Sequence, residues 1–479
     1  MPGFEPEPCW FEIPTGREAS CGFMRVLENR DKPESRTIRF PVVTLHAATP
    51  PAKPDPVIVL GGGGPGGSLY LYPESIGYFW EEWEQFVFES GRDLILMDQR
   101  GAGLSQPSLV CPELLQTQVV AATNVTSAAE DARVTAAAAQ ACRDRLAGEG
   151  VDLTAYNSAT SAADVEELRQ ALGYKQWNIY GVSYAGRLAL SVVRDHPAGV
   201  RSVIIDSGEA PSALFYEEAP YSVNRALNLL AQSCEAQTSC RQANGSVIQH
   251  LTLLESYYLE NPTAVPVVHP YTQEEFTFVV TDWRFTALLF DALYSREGIQ
   301  HLPWRLAKLA TDPDDTTLLA YLIEEALWSR LDPTWSDGLY YSVGCREEFP
   351  FNDLPGSLLI SQRYSLGNAF HRAWVDYEAR ICKLWGAGQA DPIEQQPVRS
   401  EIPAAIFYGA FDPVTPPRWG YTIHANFPNS VFYEFPHETH GALNQDNGCA
   451  QELAVTFLNN PAEAPRSAAC VSRGSLNFQ

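Results

Sequence analysis

The fold is decided by one stretch of the chain, Trp177-Asn178-Ile179-Tyr180-Gly181-Val182-Ser183-Tyr184-Ala185-Gly186-Arg187-Leu188-Ala189-Leu190. An apolar run ends at Ser183, and a helix-forming run begins at once. This pattern is typical of a nucleophile elbow, in which a strand turns sharply into a helix with a serine at the apex. The strained turn needs small residues two positions away, and Gly181 and Ala185 are small. An ordinary serine in a strand-to-helix turn would give the same pattern, so the rest of the chain must decide.

Composition limits the class of protein and its partners. The chain has 479 residues, of which 45% are hydrophobic and 11% aromatic. This composition indicates a well-buried core, and the length favours one large domain with an insertion, or two domains. The net charge is 33 − 58 = −25, which disfavours nucleic acid and anionic membrane surfaces as partners. There is no apolar run long enough for a membrane span.

Ten cysteines, an even number, indicate an oxidising compartment. They fall in pairs that are close in sequence, and no CxxC or Cys/His cluster suggests a metal site. We therefore predict five short-loop disulfides, with reduced buried cysteines as the alternative. The first residues do not resemble a signal peptide, so the protein is either cytosolic or begins at its mature end. The cysteines favour the second alternative, and we expect a secreted protein whose export signal has been removed. The predicted pairs are Cys9–Cys21, Cys111–Cys142, Cys234–Cys240, Cys345–Cys382 and Cys449–Cys470.

Strands alternate with helices in the first part of the chain, which predicts a mostly parallel sheet covered on both faces. Residues 22–48 resemble an antiparallel pair of strands at the sheet edge. Apolar strands are expected at 56–60, 92–98, 177–182 and 200–206, and helices at 127–148 and 161–173, the latter with Ser161 as its N-cap. Asp98 ends the strand at 92–98 and Arg100 lies in the turn after it, and we predict that they pair to hold this loop.

The glycine-rich loop Gly61–Ser68 directly follows the predicted strand at 56–60. It lacks the Lys-Ser/Thr ending of a phosphate-binding loop. Backbone N–H groups must approach a reacting carbonyl oxygen closely, and glycine leaves room for that approach. We therefore interpret the segment as an oxyanion loop.

The alternation stops between residues 212 and 399, where long amphipathic runs and many tryptophans occur. We predict a mainly helical cap there, inserted into a catalytic domain made of residues 1–211 and 400–479. Strands resume at 404–409 and 431–435.

The segments that follow these two strands contain an acid and a base that can complete a catalytic set with Ser183. A serine nucleophile needs a base, and the base needs an acid that orients it. Asp412 follows the strand at 404–409, and both His437 and His440 follow the strand at 431–435. We favour His440, because the adjacent Gly441 lets the loop turn inward. A turn-forming Asp-Pro and surface histidines are the alternatives, but all three roles at the right strand ends seldom arise by chance.

Together these motifs resemble the tripeptidyl-aminopeptidase and proline-iminopeptidase branch of the α/β-hydrolases, from about Cys9 to Cys470. Ser342–Glu348 is similar to a cysteine–acid motif of that family's lid. The chain departs from the family pattern at Ala185-Gly186, at an additional glycine before Gly63, and at Glu348, where aspartate is usual. The motifs that carry the resemblance are Gly63–Ser68, Asp98–Pro107, Gly181–Tyr184, Asp412–Pro417 and His440–Gly441.

The resemblance implies an α/β-hydrolase fold and a Ser183, Asp412 and His440 triad, with the N–H groups of Tyr184 and of Gly63 or Gly64 as the oxyanion hole. It also implies that lid carboxylates bind the free amine of a peptide. Glu347 is the first candidate for that role, followed by Glu348 and Glu209.

We therefore expect a serine aminopeptidase that needs no cofactor or metal, acts on short peptides and is a monomer. A carboxylesterase acting on small acyl esters is the alternative, because the sheet motifs specify acyl transfer and not the leaving group. A binding protein that has lost its activity is a third possibility, which the complete triad argues against.

Overall fold

The computed structural model describes residues 3–48, 51–61, 63–82, 90–364, 366–443 and 447–479. The strands are β1 Gly3–Glu7, β2 Ala19–Leu27, β3 Thr37–Leu45, β4 Val57–Leu60, β5 Leu94–Met97, β6 Trp177–Val182, β7 Val200–Asp206, β8 Thr263–Val268, β9 Glu275–Val280, β10 Ala404–Gly409 and β11 Ser430–Phe435. The helices are α1 Tyr78–Glu82, α2 Pro112–Ala122, α3 Ala128–Gly148, α4 Ser158–Ala171, α5 Tyr184–Asp195, α6 Phe215–Ala236, α7 Thr238–Asn244, α8 Val247–Glu260, α9 Asp282–Ala292, α10 Arg296–Thr311, α11 Thr316–Arg330, α12 Asp337–Glu347, α13 Leu354–Ser361, α14 Asn368–Trp385, α15 Pro417–Asn426 and α16 Gly448–Asn459.

Nine strands of the described residues form one sheet in the order β1-β2-β3-β5-β4-β6-β7-β10-β11. The six strands from β5 to β11 in this order are parallel to one another. Strands β1, β2 and β3 are antiparallel at one edge. The predicted mostly parallel sheet is therefore confirmed. Because β6, β10 and β11 run in the same direction, the residues that follow them meet at one edge of the sheet.

Two hydrophobic cores cover the two faces of this sheet. Side chains of a strand alternate between its faces, and β4 illustrates the result. Ile58 and Leu60 belong to the core that includes α5, whereas Val57 and Val59 belong to the core that includes α16. Helices therefore lie on both faces, and the near-continuous apolar character of the central strands follows from burial on both sides.

The local predictions differ from the structure in two places. Helix α4 begins three residues earlier than expected, and its N-cap is Asn157, whose side chain accepts a hydrogen bond from Thr160 N. The predicted cap, Ser161, lies buried inside the helix. Arg100 does not pair with Asp98. Its guanidinium group binds the Asp164 carboxylate, with Nε 2.6 Å from Oδ2, so the pairing that the sequence suggested between near neighbours was wrong.

Residues 212–399 hold helices α6 to α14 and the antiparallel hairpin of β8 and β9. A third hydrophobic core lies mostly within α6 to α11. By contrast, buried side chains of α12 and α14 share the core that contains α3 and α5. The division into a catalytic domain and a cap over 212–399 stays a prediction, and α12 and α14 join the two parts.

Disulfides join the same five cysteine pairs that the sequence suggested. The Cys345–Cys382 bond links α12 to α14, and the Cys111–Cys142 bond links the start of α2 to α3. None of the helices in the described ranges has both the length and the apolar character that crossing a membrane requires.

Candidate active site

Ser183 lies at a sharp turn between β6 and α5. Its φ of 59° and ψ of −129° are strained values for a residue other than glycine. Neighbouring chain segments hold the turn in place, because Ser183 N donates to Asp206 O at 3.0 Å and Ser183 O accepts from Gly186 N at 2.9 Å and from Glu209 N at 3.1 Å. A Cβ on Gly181 would lie 2.3 Å from Ala185 O, so only glycine fits there. The local geometry is that of a nucleophile elbow.

Asp412 and His440 lie next to each other beyond the ends of β10 and β11. His440 Nδ1 is 2.9 Å from Asp412 Oδ2, and the Asp412 side chain is fully buried. The Thr415 hydroxyl donates to Asp412 Oδ2 at 2.6 Å and lies 3.1 Å from His440 Nδ1. Asp412 Oδ1 accepts from the N–H groups of Val414 and Thr415 at 2.9 and 2.8 Å. The carboxylate is thereby held in one orientation toward the imidazole.

The charges of this pair shift both pKa values in the direction that a base and its orienting acid require. Burial favours the neutral form of Asp412, but the charge of His440 and the hydrogen bonds from His440, Thr415 and Val414 hold the pKa of Asp412 below its usual value. Burial would likewise lower the pKa of His440, but the charge and hydrogen bond of Asp412 raise it above 6.5. The structure therefore favours an ionised carboxylate and a strengthened base.

The loop that carries His440 is fastened on its C-terminal side to the end of β7. Gly441 N donates to Ser207 Oγ, and Leu443 N donates to Asp206 Oδ2, both at 3.0 Å. The ring of Tyr294 contacts the His440 ring edge-on at a centroid distance of 5.1 Å. His437, the other candidate base, is not among the residues that line the cavity described next.

A cavity of about 1250 Å³ lies over this edge of the sheet. Ser183 and His440 both line it, together with Tyr184, Gly63 and Gly64. The two glycines have φ values of 79° and 72°, which favour glycine. The structure thus brings Ser183, His440 and the predicted oxyanion residues to one cavity, and the buried Asp412 contacts His440 from outside the cavity lining. Gly62 of the same loop lies outside the described residues.

The oxyanion loop is tied to the turn that follows β5. Asp98 Oδ1 accepts from Leu69 N at 2.7 Å, and Asp98 Oδ2 accepts from Leu104 N at 3.3 Å. Gln99 Nε2 donates to Gly61 O at 2.8 Å. Asp98 is therefore a scaffold residue, as its sequence context suggested, although its partners are backbone N–H groups.

Arg187, on the first turn of α5, gathers the predicted amine-binding acids around itself. Its Nη1 is 2.7 Å from Glu209 Oε1, its Nε is 3.4 Å from Glu347 Oε2, and Nη1 also contacts Glu348 Oε1. All four side chains are at most 10% exposed. Burial raises the pKa of Glu348 well above its usual value, an effect that Arg187 opposes and Glu209 reinforces. Glu209, Glu348 and Arg187 line the cavity.

Glu347 is placed differently from the other two acids. It is absent from the cavity lining, and both of its carboxylate oxygens bind Ser158. Ser158 N donates to Oε1 at 2.7 Å and Ser158 Oγ donates to Oε2 at 2.6 Å. Ser158 Oγ also lies 2.8 Å from the Tyr184 hydroxyl. Glu347 therefore fastens α12 to Ser158, away from the cavity that Glu348 and Glu209 line, and the assignment of these acids to amine binding stays a prediction.

Sequence reasoning assigned no role to several residues of the site, among them Thr415 and Glu378. Thr415 was part of a quoted motif, but its hydroxyl contact with Asp412 depends on a turn that the sequence does not show. Glu378 lies on α14, lines the cavity and is 2% exposed. Its position within an aromatic-rich amphipathic run was the only available signal. The one cluster of candidate metal ligands in the described ranges contains the Cys111–Cys142 disulfide, whose sulfurs are already bonded.

Comparisons of sequence and structure identify known proteins that this chain resembles. A family model described as the alpha/beta hydrolase fold matches residues 56–445. Serine protease Hip1 of Mycobacterium tuberculosis is 23% identical over 96% of this chain and 88% of its own length. A tripeptidyl aminopeptidase of Streptomyces lividans is 27% identical over 44% of this chain and 39% of its own. Among solved structures, proline iminopeptidase of Mycobacterium smegmatis aligns with 89% of this chain and 96% of its own, at 16% identity and a TM-score of 0.43. The resemblance drawn from the motifs is confirmed.

Proposed function

This chain belongs to the α/β-hydrolase family, and on that premise we propose that it is a serine aminopeptidase that releases N-terminal residues or short peptides. The observation that carries the proposal is the strained Ser183 on the cavity that His440 also lines, with His440 hydrogen-bonded to the buried Asp412. The names of the Hip1 and tripeptidyl aminopeptidase relatives support peptide bonds as the target.

In the proposed reaction, Ser183 Oγ attacks the carbonyl carbon of the scissile peptide bond while His440 accepts the hydroxyl proton. Asp412 stabilises the resulting imidazolium and keeps its ring in place. The N–H groups of Tyr184 and of Gly63 or Gly64 stabilise the oxyanion. His440 then returns the proton to the leaving amine as the C–N bond breaks. Water releases the acyl group from Ser183 by the same steps.

We propose that the carboxylates of Glu209 and Glu348 bind the free amine of the peptide. Both line the cavity, and the N–H of Glu209 binds Ser183 O at 3.1 Å, which puts this acidic pair beside the elbow. Arg187 neutralises part of their negative charge, and a substrate ammonium group would neutralise the remainder. Glu347 contributes as a positioning residue through Ser158 and Tyr184.

A fluorophosphonate probe tests the nucleophile. We expect labelling of Ser183 in the folded protein and none in a Ser183→Ala variant of equal stability. An unlabelled, folded wild type would favour an inactive scaffold.

The free amine is tested by comparing an aminoacyl arylamide with its N-acetylated form. We expect the acetylated substrate to react slower by about tenfold or more, because a hydrogen bond to a charged group is lost. Glu348→Gln should narrow this difference, whereas Ser361→Ala, a change at a buried hydroxyl outside the cavity lining, should leave it unchanged. Equal rates on both substrates, or hydrolysis of p-nitrophenyl esters alone, would favour the carboxylesterase instead.

We also propose that the protein works outside the cytoplasm, since its ten cysteines are joined in five bonds in the structure. Such bonds persist in oxidising compartments. Intact mass before and after denaturing reduction checks the bonds. A gain smaller than about ten hydrogens would mean that fewer cysteines are paired and would weaken the case for export.

A further inference from the structure

A buried carboxyl group that the proposed mechanism does not use lies in the wall of the cavity. Glu378 is on α14, is 2% exposed and lines the same cavity as Ser183. A carboxylate taken out of water is costly unless its charge is paired or its proton is retained. The partners of Glu378 therefore decide what this group can do.

Those partners are neutral. Tyr340 Oη donates to Glu378 Oε1 at 2.9 Å, and Trp374 Nε1 donates to the same oxygen at 3.2 Å. The Tyr216 hydroxyl is a third neutral donor. Within the part of the chain that the structure describes, Glu378 forms no ion pair, whereas Glu209 and Glu348 share Arg187. No cation of the described ranges therefore compensates the charge of Glu378.

Aromatic rings surround this carboxyl group. Trp374 packs against Tyr216 at a centroid distance of 5.1 Å and against Phe215 at 5.3 Å. Tyr340 packs against Trp335 at 5.9 Å. All five of these rings belong to residues that line the cavity. The faces of aromatic rings carry partial negative charge and attract ammonium and guanidinium groups, so a carboxylate among such rings adds its own charge to that attraction.

Burial raises the pKa of Glu378 to about 7, and the hydrogen bonds from Tyr340, Trp374 and Tyr216 oppose that rise. A cation bound beside it would favour the ionised form. Glu378 lines the same cavity as Glu209 and Glu348, and all three act on Tyr216, since burial and then the charges of Glu378, Glu348 and Glu209 raise the pKa of Tyr216 well above its usual value. The cavity therefore offers two neighbouring acidic points, one beside the elbow and one among aromatic rings.

We propose that Glu378, with Tyr216, Tyr340 and Trp374, forms a subsite for the positively charged side chain of an arginine or lysine in the substrate. This inference rests on the proposed function and deepens it by naming the substrate class: short peptides with a free amine near Glu209 and Glu348 and a basic side chain at Glu378.

The test compares substrates that contain arginine with the same substrates containing citrulline, its uncharged near-isostere. In the first arginine and citrulline pair, this residue supplies the carbonyl that Ser183 attacks. In the second pair, it is the residue before that one. All substrates have a free N-terminus. Each pair is made as an arylamide and as an ester. We expect kcat/KM to be higher for arginine by about tenfold or more in at least one pair, mainly through KM.

Glu378→Gln keeps the shape and most hydrogen bonds of the side chain. This variant should lose the preference for arginine over citrulline, because its kcat/KM for the arginine substrate falls. Its kcat/KM for the citrulline substrate should stay within about twofold of the wild-type value, which also shows that the variant is folded. Asp376→Asn on the same helix is the matched control, because Asp376 forms a half-exposed pair with Arg380, and it should keep the preference.

Equal rates for arginine and citrulline in both pairs would overturn the subsite, as would a preference that survives in Glu378→Gln. Comparing the arylamide with the ester of each substrate separates a failure of the subsite from a failure of the proposed aminopeptidase function. Hydrolysis of the esters alone would overturn the aminopeptidase while the arginine-to-citrulline ratio still reports on Glu378.

Discussion

Replacing Arg187 by methionine tests how far the buried acidic cluster depends on one cation. The guanidinium group is 2% exposed and lies within 3.4 Å of Glu209, Glu347 and Glu348. Methionine keeps the apolar stem and similar bulk but removes the charge. The variant therefore leaves three buried carboxyl groups without their shared partner.

The expected loss of stability follows from burial and from the pKa values. Removing one partner of a buried ion pair costs about 3–5 kcal/mol, whereas an exposed pair contributes about 0.2–1 kcal/mol. Burial raises the native pKa values of Glu347 and Glu348, and Arg187 holds them lower than burial alone would. Without Arg187 these native pKa values rise further, while those of the unfolded chain do not change. The loss of stability caused by Arg187→Met should therefore grow as pH rises from the native pKa values of Glu347 and Glu348 in the wild type toward their higher values in the variant.

Urea unfolding of both proteins at about pH 5 and about pH 8 measures this effect. We expect a loss of about 3 kcal/mol or more at the higher pH and a clearly smaller loss at the lower pH. Arg133→Met is the matched control, because Arg133 pairs with Glu130 at 2.7 Å with side chains that are 63% and 46% exposed. A loss for Arg187→Met no larger than for the control, or one that is equal at both pH values, would refute the reasoning.

Three further predictions concern the catalytic pair. Asp412→Asn should lower kcat by roughly 10⁴-fold without unfolding the protein, because the imidazole loses its orienting charge, and steady-state kinetics with a folding check will show it. Thr415→Val should lower kcat/KM by about tenfold to hundredfold, since a hydrogen bond to a buried charge is lost, whereas Thr415→Ser should retain most activity. The kcat/KM of the wild type should fall toward acid pH with an apparent pKa above 6.5, because His440 must be neutral to act as base. An acid limb at or below that value in a pH–rate profile would contradict the last prediction.

The sequence predicted most of the fold because the signals that specify it are local. The sharp change from an apolar strand to a helix at Ser183, and the small residues that such a turn requires, are visible in adjacent positions. Asp412 and His440 were recognisable because each follows a strand, and parallel strands bring their ends to one edge. The N-cap of α4 was wrong because Ser161 and Asn157 are both good capping residues, and only the position of the first turn separates them.

Contacts between distant segments could not be predicted in the same way. Arg100 is two positions from Asp98, yet it binds Asp164, which is 64 residues away. The neutral donors of Glu378 come from α12 and α6 as well as from its own helix. Nothing in the neighbouring residues of any of these side chains indicates its partner, because the partner depends on how the helices pack.

By itself, the sequence determined the order of the strands along the chain, the elbow and the cysteine pairs, because adjacent or nearby residues carry these signals. It also predicted Asp412 and His440 as catalytic residues, because each follows a strand. The tertiary structure alone decided which acids reach the cavity. Glu347 and Glu348 are adjacent at the end of α12, but successive side chains of a helix point about 100° apart. One therefore binds Ser158 behind the elbow and the other faces the cavity. That difference depends on the rotation at which α12 packs, which no local pattern specifies.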